Sequence, residues 1–191
     1  MPVDRSTAGQ ARSPGVAITI PTCEKGLGTV IRTPDSADLI QGVALRPYAI
    51  HPDDRGYFLE VARLCEGMVE QFPAATTQVS AALSYPGTIK AFHFHNHQTD
   101  FWVPVMGMLQ VALVDLRAES PTFGRRNTIY AGTLQPLRIL IPPGVGHGYK
   151  VIGTEAALLV YVTNRQYDPS DEGRIPYNDE NIQYDWDIQH K

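Results

Sequence analysis

Gly87-Thr-Ile-Lys90-Ala-Phe92-His93-Phe94-His95-Asn-His97-Gln-Thr-Asp100, closed by Gly107 and answered by Ile141-Pro-Pro-Gly144-Val-Gly-His147-Gly148, is the part of the chain on which the fold turns. Successive side chains of a strand face opposite ways. A strand from Lys90 to His95 therefore puts His93 and His95, with His97 beyond them, on one face and Phe92 and Phe94 on the other. Rings packed on one side and imidazoles on the other describe a wall between a core and something wet. Polar groups pointing into a small β-structure are costly unless the interior holds water, a metal or a ligand. The acid at Asp100 and a further histidine behind a Pro/Gly turn complete a concave polar site.

Outward from this stretch the pattern stays the same. From about Val43 short segments rich in Val, Ile, Leu, Tyr and Phe alternate with turn signals such as Pro52-Asp-Asp-Arg-Gly56, Tyr85-Pro-Gly87, Ser120-Pro-Thr-Phe-Gly124 and Pro142-Pro-Gly144, the spacing of an all-β domain. The clearest strands are Lys90 to His95, Phe101 to Val105, Leu109 to Leu116, Leu137 to Ile141 and Ala156 to Thr163. Val103-Pro-Val places a proline inside a run, which reads as an edge or a bulge. Met68-Val-Glu-Gln-Phe reads as a short helical turn. The expected organisation is an N-terminal arm over 1–40, one β-domain over 41–176, and a tail over 177–191 packed on the surface.

A chain of 191 residues with 43% hydrophobic content builds one domain with a real core. Its net charge of -4 comes without a long run of either sign, which argues against nucleic acid or an anionic membrane as the partner. Two cysteines, Cys23 and Cys65, make neither a disulfide framework nor a thiolate zinc site. No signal peptide and no long apolar run is present, so a soluble, cytoplasmic protein is expected.

The two opening segments resemble the paired motifs of the cupin superfamily: Gly87, His93-x-His95, Asp100 and Gly107, then Pro142-x-Gly144-x-x-His147. The resemblance implies a double-stranded β-helix, or jelly roll. A longer one, over about 43 to 186, is to the dTDP-4-dehydrorhamnose 3,5-epimerase family, isomerases of keto-deoxysugar nucleotides. It is carried by Asp53-Asp-Arg55-Gly56-Tyr-Phe58-Leu-Glu60, Gln78-Val-Ser80, Ile89-Lys90-Ala-Phe-His93, Val114-Asp115-Leu-Arg117, Ile141-Pro-Pro-Gly144-Val-Gly-His147-Gly148-Tyr149, Tyr161, Tyr167-x-Pro169 and Ile182-Gln-Tyr-Asp185-Trp186.

The family resemblance implies His93 as the general base beside a ketone and Tyr161 as the phenol that returns a proton from the opposite face. It implies substrate contacts from Arg55, Phe58, Glu60, Gln78, Lys90, His147 and Tyr167, a homodimer, and no required cofactor. Deoxysugar and polysaccharide biosynthesis is the implied setting.

The chain departs from the family at three points. Asp100 stands near the family's lysine, His95 stands where glutamine is usual, and the acid that pairs with the base in a segment after Asp185-Trp186 has no assigned counterpart. Two alternatives follow. One is a metal-dependent cupin enzyme, a dioxygenase or isomerase, holding one divalent transition metal on His93, His95, Asp100 and His147, or on His95, Asp100 and His147 with His93 left for proton chemistry. The other is a non-catalytic relative that binds a sugar nucleotide.

Overall fold

The structure, a computed structural model, describes residues 15–187. In chain order its strands are β1 (Thr29–Val30), β2 (Ala44–Pro47), β3 (Ile50–Asp53), β4 (Gly56–Leu59), β5 (Gln78–Ser84), β6 (Ile89–His95), β7 (Asp100–Met106), β8 (Met108–Asp115), β9 (Arg126–Gly132), β10 (Leu137–Ile141), β11 (Val145–Ile152), β12 (Ala157–Thr163) and β13 (Glu172–Arg174). The helical turn expected near Met68 is a 3-10 turn at Gly67–Val69. Among the described residues no helix is long and apolar enough to cross a membrane.

Two sheets form the jelly roll. One has the order β1-β9-β8-β11-β6-β13, the other β2-β10-β7-β12-β5, and β3 and β4 form a separate hairpin. Strand β8 shows why the layers close. Leu109, Val111 and Leu113 point to a core shared with Trp102, Ile139 and Leu159 of the other sheet. Ala112 and Val114 point to a second cluster on the outer face. A strand buried on both faces reads as a near-continuous apolar run, as Leu109 to Val114 does apart from Gln110.

That second cluster takes in the closing segment, whose inward side chains pack on the outer face of the sheet. Ile182, Tyr184 and Trp186 are buried, and Trp186 packs against Phe92 with ring centroids 5.6 Å apart. The closing segment thus backs the strand that carries the histidines. Its aromatic rings are too large to leave in water when Phe92 and Ile175 offer an apolar bed.

Pro104 does not mark an edge. Strand β7 lies between β10 and β12, and the register against β12 slips at Leu158/Leu159, opposite Pro104 and Met106. The missing N–H falls at a bulge, the other reading of that proline. The turn from β7 to β8 needs glycine: Gly107 has φ +70°, and a Cβ there would lie 2.5 Å from the Ala156 carbonyl oxygen. Of the expected arm, residues 1–14 lie outside the described residues, while β1 adds to the first sheet beside β9.

Candidate active site

A cavity of about 520 Å³ opens between the two sheets. Strand β6 supplies Lys90, His93 and His95, β7 supplies Asp100 and Trp102, and β11 supplies His147 and Tyr149. The facing wall comes from Gln78 and Ala82 of β5 and Leu159, Tyr161 and Thr163 of β12, with Gln98, Tyr167 and Glu172 at the sides. Lys90 and His93 are three apart, yet share the cavity face. The pairing of β6 with β11 explains this, because it slips by one between His147↔His93 and Tyr149↔Lys90. The bulge re-aims the side chains on one side of it relative to the other.

His93 is the half-exposed member of the set. Its Nδ1 stands 3.5 Å from Oε1 of Glu172, and Arg174 Nε donates to the same oxygen at 2.6 Å. Strand β13 runs antiparallel to β6, with Glu172 opposite His95 and Arg174 opposite His93. Glu172 and His93 are therefore diagonal neighbours on one face, within reach of a long side chain. Gly173 between them leaves room for the Phe94 ring, which a Cβ would overlap. Burial pushes the Glu172 carboxyl up, but the Arg174 hydrogen bond and nearby His93 outweigh it and hold the group below its ordinary value. Glu172 is thus a carboxylate at the back of the imidazole. It is the acid partner for which the sequence offered no candidate, and it comes from before Asp185-Trp186 rather than after.

Deeper in the cavity His95, Asp100 and His147 meet. Asp100 Oδ2 lies 3.5 Å from His95 Nε2 and 3.4 Å from His147 Nε2. Gln98 Nε2 donates to Asp100 Oδ1 at 3.0 Å and stands 3.1 Å from His95 Nε2. The loop bearing Gln98 is held by Asp171, whose carboxylate accepts from the backbone N–H groups of Asn96, His97 and Gln98 at 3.0 to 3.1 Å. Burial lifts the Asp100 carboxyl to about 6, against the pull of His95 and the Gln98 bond. Burial also pushes His147 down to about 4 and lowers His95. At neutral pH the floor is a carboxylate between two neutral imidazoles.

Of the residues singled out in the sequence, His93, Tyr161, Gln78, Lys90, His147, Tyr167, His95 and Asp100 all line this one cavity. Arg55, Phe58 and Glu60 do not. Arg55 and Phe58 ride the β3–β4 hairpin with Arg55 83% and Phe58 68% exposed, and Glu60 pairs with Arg63 at 3.0 Å. Of the two ligand sets the sequence left open, the structure gathers the three-residue one. Among the described residues one donor atom each of His95, Asp100 and His147 converges within 4.8 Å, and His93 is outside the group, turned to Glu172 instead. Glu172, Gln98 and Trp102 are site residues the sequence reading missed. His97 lies beyond the end of β6 and is not among the lining residues.

A cupin-type jelly roll with a histidine–carboxylate pair on one wall and a tyrosine on the other is built for acid–base chemistry on a small polar molecule. The profile described as dTDP-4-dehydrorhamnose 3,5-epimerase matches residues 38–191, and the chain belongs to that family of isomerases. It is 42% identical over 153 residues to the spore coat polysaccharide biosynthesis protein SpsL of Bacillus subtilis, covering 79% of this chain and 99% of that one. The crystal structure of a dTDP sugar isomerase from Desulfovibrio desulfuricans G20 superposes with a TM-score of 0.70 at 26% identity, covering 77% of this chain and 92% of that one. ChmJ, a 3'-monoepimerase from Streptomyces bikiniensis solved in complex with dTDP-quinovose, gives a TM-score of 0.63 at 28% identity, with coverage of 75% and 74%.

Proposed function

We propose that this protein epimerises a nucleotide-linked 4-keto-6-deoxysugar, with His93 removing the proton beside the ketone and Tyr161 returning one from the opposite side. The observation that carries this is the placement of the two groups. His93 stands on β6 of one sheet, braced by Glu172, and Tyr161 stands on β12 of the other, with one cavity between them. Inversion needs removal and return on opposite faces of one carbon, and two facing sheets supply two faces. A proton beside a ketone is acidic enough for an imidazole to take near neutral pH. The Glu172 carboxylate stabilises the imidazolium that forms and holds the ring in place.

The volume suits a small-molecule site, and Lys90 offers an anionic substrate a cation within it. The exposed Arg55 and Phe58 suit a pyrophosphate and a base ring, but they lie outside this chain's own cavity lining. We infer a homodimer in which the β3–β4 hairpin serves the neighbouring copy. The likeness to a spore coat polysaccharide protein supports a role in making a deoxysugar precursor of a surface glycan. Two free thiols, one of them exposed, suit the reducing cytoplasm.

The test is incubation of dTDP-4-keto-6-deoxyglucose with the purified protein, followed by proton NMR of the sugar ring. Inversion at a carbon flanking the ketone is expected. Binding of this nucleotide sugar without inversion would leave a binding relative in place of an enzyme.

A further inference from the structure

We propose that Asp171 is a positioning residue for the reaction, clamping the end of β6 so that Glu172, the next residue, is held behind His93. Its catalytic consequence rests on the epimerase reading; the clamp itself does not. Past the end of β6 at His95, three successive backbone N–H groups have left the sheet and need acceptors. Asp171 supplies them. Its Oδ1 accepts from Asn96 at 3.1 Å and from His97 at 3.0 Å, and its Oδ2 accepts from Gln98 at 3.0 Å. The Asp171 carbonyl oxygen takes the Asn96 N–H as well, at 3.4 Å. Successive N–H groups turned to one point make a cradle for an anion, and a carboxylate only 4% exposed is tolerated where it is hydrogen-bonded in this way.

The clamp matters because strand β13 is three residues long and is pinned at two ends. At the far end Ile175, 3% exposed, donates to the Phe92 carbonyl oxygen at 2.9 Å and accepts the Phe92 N–H at 2.7 Å. At the near end stands Asp171. Between them Gly173 has no side chain to pack, and Arg174 is 72% exposed. The near end, which carries Glu172, therefore depends on the carboxylate beside it, while Ile175 keeps the rest of the strand in place.

The tolerance is small. Glu172 Oε1 is already 3.5 Å from His93 Nδ1, and Arg174 competes for the same oxygen at 2.6 Å. A shift of about 1 Å leaves the carboxylate with Arg174 and takes it from the imidazole, and a misplacement of that size can cost about 100-fold in rate. Asparagine is a poor substitute for Asp171, because a carboxamide has one acceptor oxygen and its NH2 group would face an N–H.

The test is a double-mutant cycle on the full chain with a nucleotide-linked 4-keto-6-deoxysugar. Asp171→Ala should lower kcat roughly 30-fold, as expected for Glu172→Gln, with KM within about threefold of wild type. The double variant should fall no more than about threefold below the poorer single one, because a residue that acts through Glu172 has nothing left to position once that carboxylate is gone. Two independent roles would instead multiply to roughly 1000-fold. Asp171→Asn should lie between wild type and Asp171→Ala, and it carries the cycle if the alanine variant does not fold. Hydrogen exchange of backbone amides is followed in the same variants without substrate. Asn96, His97 and Gln98 should exchange at least about tenfold faster than in wild type, the loss of about one net hydrogen bond, while Ile175 keeps its wild-type rate. Losses that multiply, kcat within about twofold of wild type in the folded variant, or unchanged exchange from Asn96 to Gln98 overturns the proposal. Wild-type protein that turns over no such sugar counts against the epimerase reading instead, and the exchange rates then decide the clamp alone.

Discussion

Replacing Glu172 by Gln keeps the shape of the side chain and removes the charge behind His93. When His93 takes a proton it becomes an imidazolium 3.5 Å from that carboxylate. At an effective dielectric of about 20 such a pair is worth about 5 kcal/mol. Arg174, 2.6 Å from the same oxygen, already takes part of the field. If it takes somewhat more than half, about 2 kcal/mol remains for the transition state, or roughly 30-fold in rate. Steady-state kcat/KM on a nucleotide-linked 4-keto-6-deoxysugar reads this directly, with kcat falling and KM nearly unchanged, because the charge acts on the proton transfer rather than on the sugar. Arg174→Gln should do the opposite, leaving kcat unchanged or raising it severalfold by releasing the carboxylate to the imidazole. If Glu172→Gln stays within about twofold of wild type, or if Arg174→Gln loses as much as it does, the carboxylate is a structural staple and the reasoning fails.

Three further outcomes are expected. Tyr161→Phe should lower net inversion by at least about 100-fold, the lower range for a positioned acid, while proton removal continues and is seen as isotope exchange without inversion. Burial lifts Asp100 from 3.8 to about 6, so the native state binds more protons than the unfolded chain in that window and the stability from this group falls as pH rises through it. Urea denaturation should therefore show Asp100→Asn gaining about 2 kcal/mol on wild type between pH 4 and pH 7.5; loss over that interval would contradict the buried carboxylate with its raised pKa. Trp186→Ala removes a ring packed on Phe92 and Tyr184 and should cost about 3 to 5 kcal/mol by the same assay, where a surface tail would cost almost nothing.

The alternation around His93 and His95 was legible because a period of two with rings on one side and imidazoles on the other has few other readings. The all-β class followed from turn residues between short apolar runs, and five of the strands were placed to within a residue or so. Strand β11 was harder. Its Val145-Gly-His-Gly sequence reads as the end of a turn, and it is a strand because β6 and β8 pair with it on either side. Strand β9 has an ordinary pattern but opens with Arg126 and Asn127, whose polar groups are spent on backbone carbonyls that no local signal reveals.

Glu172 was hidden for the same kind of reason. It lies 79 residues from His93 in the chain, and only the three-residue pairing of β13 with β6 joins them. The cue available was the acid pair Asp171-Glu172 just after Tyr167-x-Pro169, in which one carboxylate caps a loop and the other faces the cavity. The bed of the closing segment was not legible, because a short aromatic segment without period carries no sign of which side chains pack beneath it.

The most direct measurement is wash-in of solvent deuterium to dTDP-4-keto-6-deoxyglucose in heavy water, followed by mass spectrometry, with wild-type protein and His93→Asn side by side. The account predicts gain of deuterium beside the ketone with wild type and none above background with the variant. Equal gain with both would remove His93 as the base.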